Sequence, residues 1–180
     1  MTNARQDRPN EPLIEELIRL CSPQRRGEAA QLRRYWSSAT RHDAWPILGR
    51  LGVICHKADQ LTAALFAEHC RQDILHRRGA GGIGRAVRTL GGGRNTDPKF
   101  DSTERHFRRL LACDNLDELA GPLHRMVKRL QRHSGGPILL DYNRLLWDLR
   151  KWTSDSETIK TEWARDFWQP QLNETQENPA

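Results

Sequence analysis

Lysine is scarce in this chain: of 29 cationic side chains only 5 are Lys, and the other 24 are Arg. Several chemistries are missing as well. The four cysteines, Cys21, Cys55, Cys70 and Cys113, make no CxxC pair, which excludes zinc ribbons and dithiol redox motifs and predicts reduced thiols, mostly in the core. No Cys, His, Asp or Glu set has ligand spacing such as HExxH, so no metal is expected. Nucleophile elbows and P-loops are absent too, and with them any sequence support for catalysis or a cofactor. No apolar run approaches the roughly 18–20 residues that span a bilayer, and the polar segment Met1 to Asn10 lacks a signal-peptide core. The expectation is a soluble cytoplasmic protein without membrane contact. Alternating β-branched runs are also missing, which argues against a sheet.

What is present is arginine, arranged in stripes. Arg125, Lys128, Arg129 and Arg132 stand at i, i+3, i+4 and i+7 and form one ridge on a helix, while Leu116, Leu119, Leu123, Met126, Val127 and Leu130 fall opposite. The segment from Lys99 to Cys113 places Phe100, Phe107, Leu110 and Leu111 on one side and Arg105 and Arg109 on the other. From Ile138 to Trp152 the core side is Ile138, Tyr142, Leu145, Leu149 and Trp152, with Arg144, Trp147 and Lys151 outward. One such ridge is commonly just a solvated face. Three consecutive helices exposing cations without nearby acids repel themselves unless something negative binds. Guanidinium forks suit phosphates, and nothing here resembles a base-reading module, so binding to backbone independent of sequence is expected. Trp147 either stacks an unpaired base or, more commonly for such a residue, packs on a neighbouring domain or subunit.

The pattern predicts an all-α protein of two small helical bundles joined by a Gly-rich connection. The N-terminal bundle spans 11–78, with helices at Glu11–Cys21, Gly27–Trp36, from Asp43 (apolar set Trp45, Ile47, Leu48, Leu51, Ile54) and Ala58–Arg77 (Leu61, Leu65, Phe66, Ile74). Residues 79–98 form the connection; Gly79 to Asn95 holds seven glycines around a short piece, Ile83 to Leu90. The C-terminal bundle spans 99–168, with helices at Lys99–Cys113, Leu116–His133, Ile138–Trp152 and Asp155–Trp168. Asp114 is the expected cap of the second of these, Ser154 with Glu157 a capping box for the last, and Gly121-Pro122 a kink. Residues 1–10 and 169–180 are expected to be disordered.

Gly79, Gly81 and Gly84 spell GxGxxG, but that fingerprint works only between a buried strand and a helix, and the residues before it are polar and helical. The flexible-connection reading is preferred, with Arg85 and Arg88 able to reach a phosphate from it.

The stretches GEAAQLRRYW at Gly27–Trp36, GIGRAVRTLGG, ERHFRRLLACDNLDELAGPLHRMVKRL, DYNRLLWDLRKW and IKTEWARDFW resemble the CasB family, the small subunit of the type I-E CRISPR surveillance complex Cascade. The likeness covers about Glu11 to Trp168. It implies two small helical bundles, no catalytic activity, and assembly with a second copy of itself and with the large and backbone subunits. It also implies contacts to single-stranded DNA of the R-loop, the displaced non-target strand and the target strand, with guide RNA as a further candidate partner. Carried over by position, the resemblance marks Arg33 and Arg34, Arg105, Arg125, and Arg150 with Lys151. Arg85, Arg88, Lys128 and Arg132 join them from the charge pattern. The chain departs in having His124 where a basic pair often stands, and in an acidic tail. The alternative is an α-helical scaffold that bridges subunits through its Arg-rich faces without touching DNA.

Overall fold

The computed structural model describes residues 10–93 and 98–169. The architecture is all-α. Among the described residues there are eight α-helices: α1 (Pro12–Leu20), α2 (Arg26–Arg33), α3 (Trp45–Arg50), α4 (Lys57–His69), α5 (Ile83–Leu90), α6 (Pro98–Leu111), α7 (Leu116–Gln131) and α8 (Tyr142–Trp168). Among the described residues the only extended pairing is a parallel bridge between His76 and Leu140. The ends expected to be disordered lie outside the described residues, save Asn10 and Gln169, as does the segment 94–97 of the expected connection.

Helix α4 is the centre. Residues 61–70 are buried without interruption, and the helix packs against α1, α2, α7 and α8. A helix buried on every side has to be wrapped by others. The polar Thr62 within it is satisfied by donating to the Ala58 carbonyl at 2.9 Å. The helices expected to divide between two bundles contribute to a single buried cluster, from Leu13 to Phe167.

Several local expectations are corrected. Helix α4 stops at His69 rather than Arg77, because the Cys70 sulfur accepts the Leu75 backbone N–H at 3.3 Å and turns the chain. Leu75 then enters the core while Ile74 is left exposed. Helix α3 is only six residues long, and Gly52 at φ 71° ends it in a tight turn. Ile47 and Leu48 are buried, but Trp45 and Ile54, expected beside them, are 53% and 45% exposed. The cap of α7 is Asn115, not Asp114: its side chain accepts from the Glu118 N–H at 3.0 Å, and Glu118 accepts in return from the Asp114 N–H at 3.0 Å. Pro122 lies inside α7 without restarting it, since Leu119, Leu123 and Met126 hold the turns on both sides to the core. The last two expected helices run on as α8, kinked at Asp155 (φ −149°, ψ 44°). Ser154 there donates to the Lys151 carbonyl at 3.2 Å rather than capping a new helix. Trp163 donates its indole N–H to Asp148 at 2.7 Å and ties the two arms across the kink.

The Gly-rich stretch expected to be a mobile connection holds α5, whose Ile83, Ala86, Val87 and Leu90 are buried and which lies along α8. Gly84 explains the closeness: a Cβ there would sit 2.1 Å from the Trp163 carbonyl oxygen. The third glycine of GxGxxG therefore serves helix packing.

Candidate nucleic-acid interface

Burial of Leu119, Leu123, Met126, Val127 and Leu130 fixes the rotation of α7, which turns the basic ridge away from the core. Arg125 and Arg132 are exposed, and Lys128 and Arg129 are half-buried. Among the described residues none of the four has an ion pair with a carboxylate. Like charges at i, i+3 and i, i+4 cost about 0.2–0.5 kcal/mol per pair, so the four neighbouring pairs of this ridge hold roughly 1–2 kcal/mol of repulsion. A bound polyanion removes it.

His124, on the same helix, stacks on Trp36 with ring centroids 4.0 Å apart and planes within 5°. Burial, followed by the positive fields of Lys128, Arg125 and Arg71, pulls its pKa down to about 4. The ring is neutral at pH 7. Arg33 approaches from α2. It is half-buried, donates to the Ala67 carbonyl at 3.4 Å, and has its pKa lowered by burial and then by Arg71. Arg33, Arg71, Arg125 and Lys128 thus share one electrostatic neighbourhood built by α2, the turn after α4, and α7. Arg71 carries a single carboxylate contact, Glu68 at 3.4 Å.

Lys128 also lines a cavity of about 380 Å³ between the end of α5, the first turns of α6 and the end of α7, together with Lys99, Arg129 and Arg132. Lys128 belongs to both features: it is one of the cations acting on His124 and it lines the cavity. Arg71, Arg129 and Lys99 were not among the residues singled out by sequence as binding residues. Arg71 and Lys99 stand alone in sequence and gain cationic neighbours only by folding. Arg129 was visible as part of the ridge.

The other selected residues lie in different surroundings. Arg105 on α6 is exposed and has no ion pair among the described residues. Arg85 is exposed on α5, whereas Arg88 is half-buried and donates to the Phe167 carbonyl at 2.6 Å. Arg34 pairs with Asp43 at 2.6 Å. Arg150 makes two bonds to Asp59, at 2.8 and 2.9 Å, and reaches Glu11 at 3.5 Å. Lys151 sits 5.2 Å from the centroid of the Trp147 ring, which is 51% exposed. The expectation that the α8 cations lack acidic neighbours is corrected: Arg144 pairs with Asp166 at 3.0 Å and Glu162 at 3.5 Å. Those acids come from beyond the kink, which folds them back towards the first arm.

Among the described residues no group of three or more His, Cys, Asp or Glu could hold a metal ion, and no helix is long and apolar enough to cross a membrane. All four cysteines are free thiols: Cys70 and Cys113 are buried, Cys21 is half-buried and Cys55 is exposed. Burial pushes the Cys21 thiol up to about 11, and Cys70 higher still, so both are protonated and inert at neutral pH.

No curated protein sequence matches the chain. Solved structures do. A CRISPR-associated protein of the Cse2 family from Thermus thermophilus is 25% identical with a TM-score of 0.68, over 89% of this chain and 97% of that one. A structure of CasB from Thermus thermophilus is 26% identical with a TM-score of 0.65, over the same shares of 89% and 97%. CasB from Thermobifida fusca shares the fold with a TM-score of 0.66 at 24% identity, over 86% of this chain and 93% of that one. The family model for CRISPR-associated protein Cse2 matches residues 28–168, which takes in α3 to α8 and nearly all of α2. With the fold shared and the family model matching most of its length, the chain belongs to the Cse2 family of CRISPR-associated proteins.

Proposed function

We propose that the chain is the non-catalytic small subunit of a type I-E Cascade complex, working in the cytoplasm and stabilising the R-loop by sequence-independent contacts to DNA. Family membership supports the assembly, in which the partners are the large and backbone subunits and a second copy of this chain. The observation that supports the DNA contact is the group of Arg33, Arg71, Arg125 and Lys128, which among the described residues meets a single carboxylate contact, with Lys128 also lining a cavity that holds three more cations. Exchange of a DNA duplex for a guide heteroduplex is nearly balanced in free energy, so contacts to the backbone are enough to tip it. Arginine provides them without reading sequence. Arg105 offers an exposed guanidinium group on α6, and Arg34, Arg85, Arg88, Arg132, Arg150 and Lys151 complete the proposed contact set.

The test is R-loop formation by the assembled complex at two salt concentrations, with the chain carrying R71A, R125A and K128A together. Target binding is expected to weaken for every target sequence, with a salt slope shallower by about 0.7 for each single-strand phosphate that is no longer neutralised. Unchanged target binding at moderate salt refutes the proposal and leaves a scaffold that bridges subunits without touching DNA.

A further inference from the structure

The cavity between α5, α6 and α7 is more than one stop on a charged surface. Its floor is Leu90 and the buried Thr103, and its walls carry Lys99, Lys128, Arg129 and Arg132, with hydroxyl groups from Ser102 and Ser134. Among the described residues no carboxylate lines it. At about 380 Å³ it falls at the lower end of the roughly 300–1,000 Å³ typical of small-ligand sites.

Arg129 is the decisive residue. One terminal nitrogen of its guanidinium, Nη1, is buried and has no hydrogen-bond partner among the described residues. A charged donor removed from water with no acceptor is costly to maintain. The carbonyl end of α7 lies on this side and favours cations. That end carries only about half an elementary charge, against the three cations the helix itself contributes, and it offers Arg129 Nη1 no acceptor.

We propose that this cavity is a seat for one phosphate group held by Lys128 and Arg132, towards which the guanidinium of Arg129 turns so that its buried Nη1 gains the acceptor it lacks. The guanidinium forks match the tetrahedral oxygens, and the two serine hydroxyls add donors at the mouth. A phosphodiester of a nucleic-acid strand and a free phosphate or pyrophosphate present the same oxygens. The strand as source rests on the DNA-binding function proposed above, whereas the seat itself does not.

Calorimetric titration of the full chain with sodium pyrophosphate at low ionic strength tests the seat. One pyrophosphate is expected per chain, bound at least tenfold more weakly by K128Q/R132Q and by R129Q, and unchanged by R165Q on the exposed side of α8. Should R129Q fail to fold, the doubly substituted surface variant decides. Absence of saturable binding, or equal affinity in K128Q/R132Q, overturns the proposal. Competition with a labelled oligothymidylate then identifies the source. Displacement by pyrophosphate beyond that given by sodium chloride of equal ionic strength, and lost in K128Q/R132Q, assigns the seat to a strand. Pyrophosphate bound without displacement assigns it to free phosphate. If the wild-type chain binds no oligonucleotide, the DNA-binding reading falls while the pyrophosphate isotherm still judges the seat.

Discussion

Arg150 on α8 grips Asp59 on α4 with two hydrogen bonds, Nε to Oδ1 at 2.8 Å and Nη2 to Oδ2 at 2.9 Å, across 91 residues of sequence. Asp59 is only 7% exposed, so its carboxylate is bonded by that partner rather than by water. Replacing Arg150 with Ala is expected to destabilise the fold by about 1–3 kcal/mol, less than the 3–5 typical of fully buried pairs because the guanidinium itself is partly in water. The companion change D59N should recover part of the loss in R150A/D59N, since the unpaired charge then disappears. Urea unfolding of the four forms measures both effects. A midpoint for R150A equal to wild type removes Arg150 from the set of structural residues and returns it to the pool of free cations.

Gly84 faces the Trp163 carbonyl so closely that α5 and α8 touch through backbone. In G84A the new methyl group meets a carbonyl that is part of a helix and cannot swing aside. The expected cost is about 2–3 kcal/mol, at the upper end of ordinary overpacking. Thermal unfolding checks this, with G27A as the reference, because nothing lies within 4 Å of a Cβ at Gly27. Equal stability of the two variants would show that α5 can lift off α8 at little cost.

How much of this was legible in the sequence depends on whether the controlling partner was local. The ridge of α7 could be read because its period is intrahelical, and five of its six predicted apolar residues are buried. Helix order was legible for the same reason, as was the break near Asp155. The pairing of Arg150 was not, since Asp59 lies in another helix and Arg150 looked like part of an outward charged end. Arg144 misled similarly, because the kink in α8 folds Glu162 and Asp166 back onto it. The glycines of residues 79–84 suggested freedom, although for Gly84 the missing side chain serves a contact. Arg71 had no signal at all: it stands alone in sequence, in the turn after α4, and acquires its cationic neighbours only when α2 and α7 fold against α4.

Asp148 has its pKa raised to about 6 by burial, with the Trp163 indole bond and Arg144 pulling the other way. A carboxyl whose folded value lies above its unfolded value of 3.8 adds stability below pH 3.8 and loses it as pH rises through 6. At pH 7 the ionised group is therefore a burden on the fold. D148N keeps an oxygen to accept from Trp163 and removes the charge. It is expected to raise stability by on the order of 2 kcal/mol at pH 7 and by nothing at pH 3.5. A variant less stable than wild type at pH 7 would show that the charge is needed to hold Trp163 across the kink.

Histidine works with the opposite sign. His124 beneath Trp36 and the fully buried His69 are each held at about 4, below the ordinary 6.5, by burial first. Between pH 6.5 and 4 the unfolded chain binds protons that the folded chain refuses, so the stability they contribute is complete above 6.5 and is lost as pH falls towards 4. Two histidines outweigh the one opposing carboxyl, Asp148, over this interval. Unfolding midpoints should therefore fall between pH 7 and pH 5, and the fall should shrink in H124Q. Proton NMR isolates the cause: the His124 ring is expected to titrate near pH 4 in the wild-type chain and markedly higher in W36A, where removal of the indole returns water to one face. Its midpoint should still stay below 6.5 in W36A, because Lys128, Arg125 and Arg71 continue to repel a proton there. A His124 midpoint that W36A leaves unmoved would show that groups other than Trp36 supply the burial and that the stack contributes none of the depression.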